Sequence, residues 1–264
     1  MPQPPSHNPL GTPFIELQSV DSTNNYARNL LHDACLPDRQ SLVQHGTAIF
    51  AHEQIAGKGQ RGKNWTSEKG ANIILSLLVK PLSLQLTQQF QLSVCVAVAV
   101  HEFLIKYAGE EVKIKWPNDL YWQDRKAGGI LIESVIRSSE TGDSNWEWSI
   151  IGIGININQT TFPIYLPNPV SLKQITGKSF DTVSLAKEIC DKVNQKFSEL
   201  LADGFEKIYA QYLTHLYKIN STVKLKKDNR VFEAKIKGVT PTGRLIVYHS
   251  IEEEFEFGDI EWVA

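Results

Sequence analysis

Residues 57–63 fit the pattern G-x-x-x-x-G-K, and the residues after them exclude the fold this pattern usually announces. A phosphate loop of that kind needs Ser or Thr next, to hold a metal, and then a helix whose N-terminus faces the phosphates. Here Asn64 comes next, and the chain runs through Trp65 into the β-rich stretch 71–79. No helix starts there, which removes the P-loop NTPases. What remains is a connection between apolar stretches, with three glycines, three cations and Trp65 packed into residues 57–65. Glycine lets a backbone approach an anion closely. Lys58, Arg61 and Lys63 can add charge-assisted hydrogen bonds to phosphate or carboxylate, and Trp65 offers a flat face to a base. Taken alone, the same loop reads first as a solvated basic hairpin, and the rest of the chain reverses that reading.

A chain of 264 residues that is 42% hydrophobic can bury one large core, with room for a small second module. Its formal charge of −2 gives no global field toward nucleic acid or membrane, so any anion binding is local. The cysteines Cys35, Cys95 and Cys190 are far apart and odd in number, and no C-x-x-C occurs, which excludes a disulfide framework and a zinc site. Cys95 and Cys190 sit in apolar helical patterns, as packing residues do. A reduced, cytoplasmic protein is expected. The stretch 1–12 is polar and proline-rich, without the features of a secretory signal, and reads as a disordered lead. No apolar run reads as a membrane span.

Residues 14–18 read as a strand, and Asp21, Ser22, Thr23 and Asn24 then supply helix-start chemistry. Ser22 is an N-cap by default, but side chains at a helix start face the same way as the free backbone N–H groups and can hold a ligand. Gln54 falls where the strand 47–51 gives way to the glycine loop; its amide can both donate and accept. Residues 87–107 form a helix buried nearly all round, by length and flanks rather than by propensity, and His101 on it is structural. Strands follow at 112–116, 120–122, 126–136 and 146–158. Gly128 and Gly129 weaken their strand, which calls for a bulge or a closely approaching ligand. Gly152 and Gly154 share one face of theirs, opposite Ile151, Ile153 and Ile155. Helices follow from an Asp181 N-cap and over 205–216. Residues 222–262 read as a small β-barrel with a boundary near Asn220, and Glu252–Glu254 as a solvated turn.

Together these stretches resemble the biotin protein ligases, specifically the monofunctional type without a DNA-binding domain. The resemblance rests on Asp21 to Asn24, Gln54 to Trp65, Lys115-Trp-Pro-Asn-Asp119, Lys126-Ala-Gly-Gly-Ile-Leu131 and Gly152-Ile-Gly-Ile-Asn156, in the family's order at about its spacing. It implies an α+β fold, a mixed sheet flanked by helices of the class II synthetase-like, biotin–lipoate ligase kind, with a small C-terminal SH3-like β-barrel. The divisions are then 1–12, a catalytic domain 13–219 and a β domain 220–264. It implies joining of the biotin carboxylate to the α-phosphate of ATP with Mg2+, then transfer to a lysine of a biotin carboxyl carrier protein, of acetyl-CoA carboxylase or another biotin-dependent carboxylase. By this resemblance Ser22, Thr23, Asn24, Gln54, Lys58, Gly59, Gln60, Lys126, Gly128 and Gly129 serve biotin. Lys58, Arg61, Lys63, Trp65, Lys115, Asn118 and Asn156 serve ATP. Lys126 sits at the reacting carboxylate and α-phosphate, where a fixed cation stabilises charge built up in the transition state. Asp119 reads either as a turn carboxylate or, as the resemblance implies, as the group that orients Mg2+ or the incoming lysine.

Two features depart from the family pattern. Lys58 and Gln60 stand where many relatives have arginines, and Lys lacks the forked contact of Arg. Ala127 follows the strand lysine where a bulkier residue is common. The dozen polar residues before the first strand are too few for a helix-turn-helix, so no operator binding, no nucleic-acid partner and no membrane partner are expected; relatives are often homodimers. The nearest rival readings are a lipoate or octanoate ligase and a non-catalytic nucleotide-binding regulator.

Overall fold

The structure is a computed structural model that describes residues 8–34, 43–138 and 144–263. Cys35 lies outside them. Strand β1 (Phe14–Leu17) runs parallel to β2 (Ala48–Ala51), and the crossover between them carries helix α1 (Thr23–Asp33). Strands β3 (Ile73–Val79), β4 (Val112–Lys115), β5 (Asp119–Trp122), β6 (Arg125–Ser138) and β7 (Ser144–Ile155) complete a mixed sheet in the order β1-β2-β3-β7-β6-β5-β4.

The two faces of this sheet differ. Ile73, Leu75, Leu77 and Val79 of β3 alternate onto the main core. There they meet helix α2 (Gln89–Ala108), which packs with α4 (Thr182–Asp203) and α5 (Phe205–Thr214). Every residue from Val94 to His101 is buried, which is why a run rich in β-branched residues is helical here: tertiary burial outweighs propensity. Contrary to the sequence expectation, Leu86–Ala108 is long and apolar enough to cross a membrane; in this fold it is the core helix. The ring of His101 donates from Nε2 to the Val112 carbonyl, 3.0 Å away, and packs on His215, a structural place as expected.

On the opposite face α1 covers only part of the sheet. Ala27 and Leu31 pack on Ile49, Leu78, Trp148 and Ile150. Beyond that patch the surface of β6 and β7 is backbone, at Gly129, Gly152 and Gly154.

Strands β8 (Thr222–Lys227), β9 (Arg230–Val239), β10 (Leu245–Tyr248), β11 (Glu252–Phe255) and β12 (Glu261–Val263) form an antiparallel sheet in the order β11-β10-β9-β8-β12, consistent with an SH3-like module. It docks on the larger part through Trp116, whose indole N–H donates to the Gly243 carbonyl at 2.9 Å, and through Phe90, which fills the space a side chain at residue 243 would need.

Three expectations need correction. Residues 8–12, read as part of a disordered lead, are packed: Leu10 is buried, its N–H donates to Asn194 Oδ1 at 2.9 Å, and Gly11 donates to the Gly46 carbonyl. Glu252–Glu254 belong to strand β11 rather than a turn, since β10 pairs with them and Arg244 neutralises Glu254 and Glu256. A short helix α3 (Leu172–Thr176) was not foreseen; Ser171 and Gln174 close a capping box at its start. Asp181 caps α4 as expected.

Because Leu77 is fully buried between the sheet and α2, Leu77→Ala is expected to cost about 2–5 kcal/mol, read as a shift of the urea midpoint. Ile164→Ala, at a fully exposed position, is expected to stay within about 0.5 kcal/mol.

Candidate active site

The first corner of the site is the start of α1. Ser22 is the N-cap, its hydroxyl accepting from the Asn25 N–H, and this cap turns Thr23 and Asn24 onto the sheet. Ser76 of β3 donates toward Thr23 Oγ1 at 2.8 Å and Asn24 Oδ1 at 2.6 Å. Gln54 Oε1 accepts from the Thr23 N–H at 2.8 Å. Asn24 Nδ2 donates to Glu133, which is paired with Arg28 at 2.9 Å. Thr23, Asn24 and Ser76 are buried. Gly152 lies directly beneath, where a Cβ would come within 2.6 Å of Asn24 Oδ1. The result is a compact cluster of donors and acceptors, of the kind that can pair with a neutral polar group.

The second corner is set by strand register. Ile74, Gly154, Gly129, Asp119 and Lys115 lie side by side across β3, β7, β6, β5 and β4, so they share one face. Lys126 Nζ pairs with Asp119 Oδ1 at 2.7 Å, and the pair lies over Gly129, where a Cβ would come within 3.2 Å of the Asp119 carboxylate. A register shift in the β5–β6 pairing at Leu120 and Tyr121 brings Lys126 opposite Tyr121. Its backbone is fixed on the other side by Asn168 and Val170. With side chains 30% and 23% exposed, this pair adds only about 0–1 kcal/mol to stability; it holds the ammonium in place more than it holds the fold. Burial pushes the Lys115 ammonium down to about 8, against the opposing pull of Asp119.

The glycine loop covers this face. Gly59 and Lys63, and Gly57 and Trp65, close it with backbone hydrogen bonds, and residues Gln60–Gly62 make one tight turn with Arg61 at φ 54°. The Trp65 ring lies on Gly154, where a Cβ would come within 2.6 Å of it. Lys58 Nζ donates to Asn25 Oδ1 at 2.5 Å, so the loop is tied to the α1 corner. Two buried polar atoms, Gln60 Oε1 and Trp65 Nε1, have no partner, and such orphans are uncommon in a completed site.

The structure therefore gathers Thr23, Asn24, Gln54, Lys58, Gly59, Trp65, Lys115, Asp119, Lys126 and Gly129 around one face. Lys63 is exposed, close enough to Lys115 to act on its charge. Others play different parts. Ser22 is occupied as a cap. Arg61, expected at phosphates, turns to the C-terminal module, donating to the Gly258 carbonyl at 3.0 Å and lying over Phe257. Asn118 Nδ2 donates to the Ile130 carbonyl at 2.6 Å and braces β6. Asn156 is buried and donates to the Lys126 and Val170 carbonyls, holding the strand that carries Lys126. Gly128 admits Ile155 and the Gly154 carbonyl rather than a ligand. Gln60 lines a cleft of about 90 Å3 with Phe90, Ser93, Pro117 and Asn118. Ser76 and Glu133 escaped sequence reading, although a lone Ser inside Ile73–Val79 was a signal. Among the described residues no three His, Cys, Asp or Glu side chains form a metal cluster. A magnesium ion at Asp119 would have to be held mainly by phosphate oxygens, as is usual for that ion.

The family model described as "Biotin/lipoate A/B protein ligase family" matches residues 17–156. The bifunctional ligase/repressor BirA of Escherichia coli is 31% identical over 237 residues, covering 88% of this chain and 68% of that protein. The biotin–[acetyl-CoA-carboxylase] ligase of Paracoccus denitrificans is 27% identical over 207 residues, covering 75% and 82%. The biotin protein ligase of Aquifex aeolicus in complex with biotin and ATP superposes with a TM-score of 0.76 at 24% identity, covering 95% of this chain and 98% of that one, which fixes the fold. With the shared motifs lying on one face of that fold, the chain belongs to the biotin/lipoate A/B protein ligase family.

Proposed function

We propose that this chain is a biotin protein ligase, which activates biotin with ATP and transfers it to a lysine of a biotin carboxyl carrier protein. The observation that carries the reading is the pairing of two unlike corners on one sheet face: a donor–acceptor cluster at Thr23, Asn24, Gln54 and Ser76, and a fixed ammonium at Lys126. A ureido ring needs the first. A carboxylate meeting a phosphate needs the second.

In the first step a biotin carboxylate oxygen bonds to the α-phosphorus, and the bond to the bridging oxygen of pyrophosphate breaks. Two anions approach and charge builds on the phosphoryl oxygens. Lys126 opposes that charge where it develops, which lowers the barrier more than it favours ground-state binding. Lys115 and Lys63 add positive potential toward the triphosphate, and Trp65 stacks on the purine. Asp119 would help hold magnesium carried in by the triphosphate, and the ion would supply charge neutralisation there. In the second step the amine of the carrier lysine attacks the acyl carbon, AMP leaves, and the amine proton is lost. Asp119, held within 2.7 Å of Lys126, is the carboxylate that faces this amine. Gly152 and Gly154 let Asn24 and the Trp65 ring lie close on the sheet, and these two would line the place of the ring system and tail. The free, buried thiols of Cys95 and Cys190 suit a reducing compartment, and we place the enzyme in the cytoplasm.

Incubation with biotin and MgATP is expected to yield a protein-bound species with the added mass of biotinyl-AMP, and calorimetry to show biotin binding without lipoate binding. Lipoate binding alone would favour the other branch of the family. Lys126→Ala is expected to lower biotin-dependent ATP–pyrophosphate exchange by on the order of 10²-fold or more; exchange at the wild-type rate would refute its role. Trp65→Ala is expected to weaken ATP binding by roughly 1–3 kcal/mol in the same titration. Lys115 is charged below its folded value of about 8 and neutral above it. The kcat/KM for ATP, which reports free-enzyme groups, is therefore expected to fall as pH rises through that value, and a flat profile would exclude Lys115 from the phosphates.

A further inference from the structure

Lys115 is the member of the active-site row that touches the C-terminal module. Its Nζ lies 4.5 Å from the Tyr121 ring centroid, 4.9 Å from that of Trp262 and 5.7 Å from that of Tyr217, and it donates to Tyr121 Oη at 3.1 Å. These rings come from three places: β5 of the large sheet, the connection after α5, and the last strand, β12. Tyr121 and Tyr217 also pack together at 5.1 Å, and Tyr217 on Trp262 at 5.8 Å. The cage is thus a single cluster around one ammonium. Trp262 is held to β8 by its backbone, opposite Leu225, while its buried indole N–H has no partner. Nothing polar fixes that ring, so its place is set by packing, on the core behind it and on Lys115 and Tyr217.

We infer that Trp262 is a positioning residue for ATP use: the last strand of the C-terminal module aims the Lys115 ammonium along the row toward Asp119 and Lys126. This rests on the ligase reading above. A long, unbranched ammonium side chain loses much freedom when it is held in one place. The row needs it fixed, because a positive charge helps phosphoryl chemistry only if it is already in position. Ring faces attract a cation without competing for its outward-facing donors as a carboxylate would. Phe257 and Gly258 meet Arg61 of the glycine loop, so the module reaches the site from a second side as well.

A double-mutant cycle tests the inference. The kcat/KM for ATP is measured by biotin-dependent pyrophosphate exchange in the full chain, the Trp262→Leu and Lys115→Met variants, and the combination. Leucine keeps apolar volume and removes the ring face. Trp262→Leu is expected to lose on the order of tenfold, with the affinity for biotin unchanged by calorimetry, and to add almost nothing to Lys115→Met. Trp262→Phe, which keeps a ring, is expected to restore most of the loss. Losses that multiply in the double variant, or an equal fall in biotin affinity, would overturn the inference and leave Trp262 as packing. Should Trp262→Leu not fold, Tyr217→Leu carries the same cycle from the other wall of the cage. Absence of exchange in the unmutated chain would overturn the ligase reading and this role together. Exchange there with multiplied losses would overturn this role alone.

Discussion

The pairing of β6 with β7 is the constraint on which the rest of the molecule depends. Eleven residues of β6 face partners on β7 in this pairing, from Gly128 with Ile155 to Ser138 with Ser144. That register puts Gly129 beside Gly154 and aligns both with Asp119 and Lys115. A slip of one residue would turn Ile153 and Ile155 outward and bury the glycines against α2. The same alternation that fills the main core with isoleucine thus clears the opposite face to bare backbone. Core packing and site shape are one decision made twice along the same strands.

Polar groups on that face are arranged so that burial is tolerable. Thr23, Asn24, Ser76, Gln54, Glu133 and Arg28 form a connected set of hydrogen bonds and one ion pair, and a buried polar group in such a set escapes the cost of being left unmade. Positive charge is handled differently. The chain as a whole is slightly acidic, yet Lys58, Lys63, Lys115 and Lys126 collect around one patch. Local concentration of cations, rather than net charge, gives the patch its field.

Much of this could be read from the sequence because it rests on short-range rules. The Ser22 and Asp181 caps, the buried helix through Val94 to Val100, and the alternation that sets Gly152 and Gly154 on one face all follow from spacing. The short helix at Leu172–Thr176 is equally legible, since Ser171 and Gln174 stand at capping-box spacing, although the prolines just before it favour a loop. Other features were out of reach. Nothing local distinguishes an asparagine that binds a nucleotide from one that braces a strand, and Asn118 and Asn156 both brace. The contact of Arg61 with Gly258 joins positions 197 residues apart and exists only because the two sheets dock. Ser76 shows the same limit in milder form: a lone hydroxyl in an apolar strand is visible, but the helix start it meets is supplied by the crossover.

The indole resting on Gly154 has a consequence for how the pocket fills. The bare floor is already covered by a flat apolar body belonging to the protein itself. A guest that settled there would meet a resident ring rather than naked, hydrated backbone. The hydrophobic gain on occupancy is accordingly less than the guest's own contact area suggests, because part of that area was dry beforehand. In return the floor is kept dry while empty, because the indole lies in contact with it.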